Sequence, residues 1–127
     1  MTKILFICGG NVGRSQCAEG FFNKMTKKHK AVSAGTEPGD KVRLVTTSIM
    51  KEFDIDISKQ KPKALTKEMI ENSDRIVVLG TREEFPELEG VKAEYWNIPD
   101  LPFEISERRK VISQIKAKVE NLIKELG

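Results

Sequence analysis

The stretch Ile4-Leu5-Phe6-Ile7-Cys8-Gly9-Gly10-Asn11-Val12-Gly13-Arg14-Ser15 runs from a continuous apolar segment into a glycine-rich turn that closes on Arg-Ser. An apolar run without polar alternation predicts a strand buried on both faces, as in a parallel sheet covered by helices. Beyond the turn, Ala18, Phe21, Phe22 and Met25 recur at i, i+3, i+4 and i+7, one face of a helix. The same alternation continues along the chain. A strand over 31–34 stops at Gly35, and a helix with Asp40 as N-cap buries Val42, Val45, Ile49 and Phe53. Thr66 caps a short helix, a strand over 75–79 ends at Gly80, a loop covers 81–90, and a strand follows over 91–96. After an irregular segment with Pro99 and Pro102, the last helix carries Ile105, Ile112, Ile115, Val119, Leu122 and Leu126. The reading is α/β: a small doubly wound four-stranded parallel sheet flanked by helices, one domain over 1–127, with a phosphate-binding loop after the first strand.

The chain has 127 residues, 22 Lys and Arg against 19 Asp and Glu, one histidine and two cysteines. That length supports one hydrophobic core. Two cysteines cannot staple a chain of this size, so the thiols are expected to be free in a reducing, cytoplasmic setting. No apolar run approaches the roughly 20 residues of a membrane span, and Met1-Thr2-Lys3 leads straight into a strand, so no membrane partner is expected. Lys24, Lys27, Lys28, His29 and Lys30 read as a solvated helix end whose cations complement the dipole, with His29 at the surface. With 6% aromatic residues and mixed charge elsewhere, nucleic acid is not an expected partner. A single histidine also excludes a His-rich metal site, and neither metal nor cofactor is expected.

Each part of the segment from Cys8 to Ser15 suits an oxyanion. Backbone N–H groups of Gly9, Gly10, Asn11, Val12 and Gly13 can converge into a nest, and the helix start adds the positive end of its dipole. Arg14 can hold two oxygens in one plane, which lysine cannot. The field that binds an oxyanion also favours thiolate over thiol, making Cys8 a nucleophile, and Ser15 can hydrogen-bond the sulfur when it has to leave. Gly9 and Gly13 enclose three residues and Arg14 stands where a nucleoside-triphosphate loop needs lysine; the dinucleotide pattern G-x-G-x-x-G is absent as well.

Cys-x5-Arg-Ser opening a helix of the form Ser-Gln-x-Ala-Glu-Gly-Phe resembles the low-molecular-weight protein tyrosine phosphatases and their relatives, the thioredoxin-coupled arsenate reductases. Ser33-Ala34-Gly35-Thr36, Asp54-Ile55-Asp56-Ile57-Ser58, Ser73-Asp74-Arg75-Ile76-Val77 and the run from Trp96 to Asp100 resemble further landmarks in the family's order. The resemblance implies Asp100 as general acid toward the leaving group and then as base toward water, its protonated form favoured by the anionic substrate and partial burial. The family's aspartate is followed directly by proline, whereas Leu101 intervenes here before Pro102. It also implies that Asn11 supports the loop with Ser33 as partner. In some related reductases a potassium ion sits near this loop, held partly by a carboxylate at the position of Lys63; a lysine supplies the charge itself, so no potassium dependence is expected.

Cysteines divide the two activities. The related reductases carry two further thiols, at the end of the third strand and in the loop beyond, which form a disulfide after arsenate has added and pass it to thioredoxin. This chain has Gly80 at the first place and no cysteine from Thr81 onward. Cys17 reads as a packing residue of the first helix or as an atypical resolving thiol. The expectation is therefore a monomeric, cysteine-dependent phosphate monoester hydrolase acting through a cysteinyl-phosphate on phosphotyrosine or a similar ester. The alternative is arsenate reduction on the same loop with Cys17 or an external thiol, which Ser15-Gln16 and Trp96 favour by resemblance. A phosphoryl carrier of the sugar-transport type and a non-catalytic phosphate-binding module are disfavoured by Arg14 and Asp100, and by Cys8 with Arg14.

Overall fold

A computed structural model describes residues 1–127. In chain order it comprises β1 (Lys3–Cys8), α1 (Arg14–Met25), β2 (Lys30–Gly35), α2 (Leu44–Glu52), α3 (Lys67–Glu71), β3 (Arg75–Leu79), β4 (Glu94–Trp96) and α4 (Ile105–Leu126). The strands form one parallel sheet in the order β2-β1-β3-β4. The α/β architecture, four parallel strands flanked by helices, is the one read from the sequence.

Period-two geometry in the central strands explains their unbroken hydrophobicity. Ile4 and Phe6 of β1, with Val77 and Leu79 of β3, join a core under α1, α2 and α4 that includes Phe21, Phe22, Ile49, Ile112, Ile115 and Val119. Leu5 and Ile7, with Ile76 and Val78, face the opposite side and pack on Phe85 and Leu88. Both faces are covered, so beyond the leading Lys3 and Arg75 these strands carry no charged residue. Phe6 is the hinge of the larger core, edge-on to Phe22 at 6.1 Å and tilted against Trp96 at 5.7 Å.

Strand order reverses direction at β1, since β2 lies on one side of it and β3 on the other. In such sheets the crevice beyond the carboxyl ends at the switch point receives the ligand. The turn 9–13 opens into it, and the segments after β3 and β4 end beside it.

Several elements differ from the sequence reading. Asp40 caps nothing; α2 starts at Leu44 with Arg43 as N-cap. Residues 36–43 are instead held along the first loop, with Thr36 N–H donating to Cys8 O, Glu37 to Gly9 O, Gly39 to Gly10 O and Arg43 to Val12 O. These bonds compete with helical winding, and no local signal announces them. The strand expected over 91–96 is shortened to β4, and the loop after β3 contains two 3₁₀ turns, Arg82–Glu84 and Pro86–Leu88. His29 is half-buried, its Nδ1 accepting from Thr2 N–H at 3.0 Å, while the surrounding lysines are exposed. Thr66 does cap α3, accepting from Met69 N–H. No helix is long and apolar enough to cross a membrane.

Ile115 of α4 is fully buried in the core that α4 shares with α1. Ile115→Ala is expected to lower unfolding stability by about 2–5 kcal/mol, read as a fall in the urea midpoint at unchanged slope.

Candidate active site

Cys8 ends β1 at 3% exposure, where the chain leaves the sheet for the turn. Asn11, at φ 54°, gives the turn its sharp bend; asparagine tolerates this left-handed region better than most residues. Its amide is fully used. Nδ2 donates to Ser15 Oγ at 2.7 Å and Ser33 Oγ at 3.0 Å, while Oδ1 accepts from Gln16 Nε2 at 3.0 Å and Lys63 N–H at 2.9 Å. Because Ser15 Oγ accepts from Asn11, its own proton is free for Cys8 Sγ, 2.9 Å away. Ser33 likewise accepts from Asn11 and donates to Glu19 Oε1 at 2.6 Å. Once Cys8 is a thiolate it can only accept, and Ser15, whose oxygen already accepts from Asn11, is then the donor to sulfur.

Gly35, at the end of β2, lets this arrangement close. A Cβ there would lie 2.5 Å from Gly9 O and 3.0 Å from both Asn11 Cβ and Asn11 N. Gln16, fully buried, reaches from α1 to Asn11 O and to Lys61 O, and Gln60 Nε2 donates to Gln16 Oε1 at 2.6 Å. Lys63 Nζ stands 3.9 Å from Glu19 Oε1, so a side-chain ammonium lies at the carboxylate that terminates the chain.

Arg14, the first residue of α1, is 6% exposed. Its Nη1 donates to Ile98 O at 3.0 Å, and Nη1 and Nη2 both reach Glu84 Oε2 at 3.4 Å. Those bonds occupy the far edge of the guanidinium and leave Nε–H with one Nη2–H as a fork for two oxygens. Glu84 is itself fixed by a capping box with Thr81. Nothing in the sequence pairs Glu84 with Arg14, since they are 70 positions apart.

Asp100 lies on the segment after β4, with Oδ1 3.8 Å from Arg14 Nε and accepting from Leu101 N–H at 2.8 Å. Its side chain is 86% exposed, so the partial burial expected from the sequence is absent. The extra residue Leu101 has a place of its own: its Cδ1 would stand 2.9 Å from a Cβ on Gly13, so it packs where the loop has no side chain. Cys8, Gly9, Gly10, Val12, Gly13, Arg14 and Asp100 line one cavity of about 330 Å³. Asn11, Ser15, Ser33 and Lys63 stand behind it as supports.

Cys17 is elsewhere. It is fully buried on α1 in the larger core, and neither it nor Cys8 is in a disulfide. Burial pushes its thiol far up, the nearby Cys8 adds to this, and Arg108 opposes it. A thiol so placed is a poor nucleophile. At Gly80, φ is 150°, and a Cβ would fall 2.6 Å from Phe85 Cε2, 2.9 Å from Glu84 Oε1 and 3.2 Å from Arg14 Nη1. The contacts that hold Arg14 fill the space a side chain would need there. No group of three or more His, Cys, Asp or Glu is placed to hold a metal ion.

The family model for low-molecular-weight phosphotyrosine protein phosphatase matches residues 3–127. The chain is 37% identical to the arsenate reductase of Staphylococcus xylosus over 123 residues, 93% of each protein. Among solved structures, an arsenate reductase in a phosphate-binding state superimposes with a TM-score of 0.85 at 30% identity, over the whole of both chains. The arginine phosphatase YwlE of Geobacillus stearothermophilus does so with 0.84 at 23% identity, over 99% of this chain and 93% of that one, a likeness of fold.

Two outcomes follow from the geometry. Glu84→Ala is expected to weaken binding of inorganic phosphate about tenfold by calorimetry, through loss of a charged hydrogen bond to Arg14, with Glu84→Gln retaining most of the affinity. Any turnover at this loop is expected to be unchanged when sodium is replaced by potassium at constant ionic strength; a clear rise would mean that Lys63 does not fill the cation's role.

Proposed function

We propose that this chain, which belongs to the low-molecular-weight phosphotyrosine protein phosphatase family, is a cysteine-dependent phosphate monoester hydrolase of the protein tyrosine phosphatase type. The observation that carries the reading is Asp100 beside the free fork of Arg14, over a cavity floored by Cys8. Hydrolysis needs an acid at the ester oxygen and a base for water, and oxyanion binding alone needs neither.

In this reading the phosphoryl oxygens sit in the turn 9–13, two of them on Arg14. Cys8 thiolate attacks phosphorus opposite the ester oxygen, the P–O bond breaks, and the departing alkoxide or phenoxide takes the proton of Asp100. The cysteinyl-phosphate is then opened by water, whose proton goes to the Asp100 carboxylate as its oxygen joins phosphorus. Sulfur leaves as thiolate with the Ser15 O–H pointed at it, and inorganic phosphate departs. Phe103, 96% exposed and lining the same cavity, offers an aromatic wall to the leaving group. The enzyme works as a cytoplasmic monomer without metal or cofactor.

Arsenate reduction is the second reading, favoured by the 37% identity to the Staphylococcus xylosus reductase. Arsenate would add to Cys8 in the same turn. Release of arsenite would then form a mixed disulfide between Cys8 and an external thiol, the two sulfurs giving one electron each, and a second external thiol would free Cys8, because Cys17 is buried in the core and no other cysteine exists.

Aryl phosphate hydrolysis and arsenate-dependent thiol oxidation, assayed side by side, separate the readings. Hydrolysis is expected to fall about 10³-fold or more in Cys8→Ser and about 10²–10⁴-fold in Asp100→Asn, and to persist in Cys17→Ala. Hydrolysis that survives Cys8→Ser would sink the mechanism. Arsenite formation that requires Cys17 would overturn the preference for a phosphatase.

A further inference from the structure

Three arginines line the cavity and only one of them has the oxyanion to serve. Arg43 stands at the start of α2, exposed, its N–H held by Val12 O of the loop. Arg108 comes from α4 and is 5% exposed. Its Nη1 donates to Thr46 Oγ1 at 3.0 Å, while its Nε is buried without any partner. Neither Arg43 nor Arg108 is ion-paired in the fold, although their neighbour Arg109 is, with Glu52. The only carboxylate lining the cavity is Asp100, and it faces Arg14.

A guanidinium stays charged at any pH a protein meets, and burying one without a counter-ion or full hydrogen bonding is strongly unfavourable. The buried Nε is out of a ligand's reach, but Arg108 also lines the cavity, and an anion there would supply the counter-ion that the fold does not. Arg14 and the turn 9–13 already take up the phosphoryl oxygens, so Arg108, held to Thr46 Oγ1 and reaching the same cavity from α4, is left to meet a second anion. The cavity, at about 330 Å³, is at the small end of the range for organic ligands, roughly 300–1,000 Å³.

We propose that Arg43 and Arg108 form a second anion subsite, and that the preferred substrates are compact phosphomonoesters whose organic part carries a second negative group, a carboxylate or phosphate. This rests on the phosphatase reading and narrows it from esters in general to small molecules with a second anionic group beside the phosphate. An acidic peptide segment is the lesser fit, since a chain lying across the mouth meets exposed Arg43 but not buried Arg108. Arg108 is a specificity residue here: it binds the second anion and takes no part in bond breaking.

The test compares 3-carboxyphenyl phosphate with its neutral counterpart 3-carbamoylphenyl phosphate. Binding is measured by calorimetry on the Cys8→Ser chain and turnover on the wild type. The expected result is about tenfold tighter binding of the carboxylate ester, the size of one charged hydrogen bond. That preference is expected to fall to near unity when Arg108→Met is added, and to shrink severalfold when Arg43→Gln is added. Arg43→Gln, an exposed change, keeps the test decisive if Arg108→Met unfolds the chain, and thermal melts report which has happened. Equal affinities for the two esters, or a preference that survives both substitutions, would overturn the subsite. A tenfold binding preference without hydrolysis of either ester upholds the subsite and overturns the phosphatase reading. Tighter binding of an acidic peptide phosphomonoester than of the carboxyphenyl ester would replace the small-molecule class by a protein one.

Discussion

A turn containing three glycines has no intrinsic reason to hold one shape, and the side chain of Asn11 supplies that reason. Its four polar contacts tie α1, β2 and the 61–63 segment to the same point of the loop. The conformational entropy that glycine loses on being fixed is offset by a buried amide with no unmet donor or acceptor. Everything else at the site depends on that fixation. Gly35 has to be bare for the loop to close against β2, residues 36–43 follow the loop instead of winding into a helix, and Ser15 receives the hydrogen bond that turns its own proton toward Cys8.

The parts of this structure that were legible in the sequence are those governed by local periodicity or by a contiguous motif. β3 runs from Arg75 to Leu79, as its sequence predicts, because an apolar run between a charged residue and a glycine is decided within a few residues. Thr66 is legible as a cap for the same reason. The start of α2 was not legible: Asp40 is a good N-cap by composition, but the preceding chain is recruited as a partner by a loop nearly thirty residues earlier. Glu84 and Arg108 escaped for a related reason. Each acquires its meaning from a residue at least sixty positions away, and a surface helix rich in charge gives no sign that one arginine among several points inward. Gln16 belongs to the motif that opens α1, yet its task of holding Asn11 O and Lys61 O is visible only in three dimensions.

Arg14 shows how the fold converts sequence-distant groups into one tool. A long flexible side chain would spread its charge over many rotamers, and its affinity for an oxyanion would carry that entropic cost. Anchoring Nη1 to Ile98 O and both terminal nitrogens to Glu84 fixes the plane of the guanidinium before any ligand arrives. Since Ile98 follows β4 and Glu84 follows β3, the carboxyl ends of both strands set the orientation of a residue that belongs to the helix after β1. The parallel sheet thus aligns the groups around the cavity by aligning strand ends.

The same loop serves a phosphatase or an arsenate reductase because both begin with a thiolate adding to a tetrahedral oxyanion, and their paths part only in how the sulfur is released. Hydrolysis needs a proton shuttle near the leaving oxygen. Reduction needs a second thiolate able to reach the first sulfur. In this chain the region after β3, where the resemblance places resolving thiols, is instead committed to Arg14: Glu84 binds the guanidinium, and Gly80 is kept bare by Glu84, Phe85 and Arg14 together. A cysteine there would displace the group that orients the oxyanion fork, so the second thiol could be gained only by loosening the first step. Asp100, exposed beside that fork, has no such conflict. A resolving thiol at that place conflicts with keeping Arg14 where it is, whereas neither the proposed proton route nor an external thiol requires Arg14 to move.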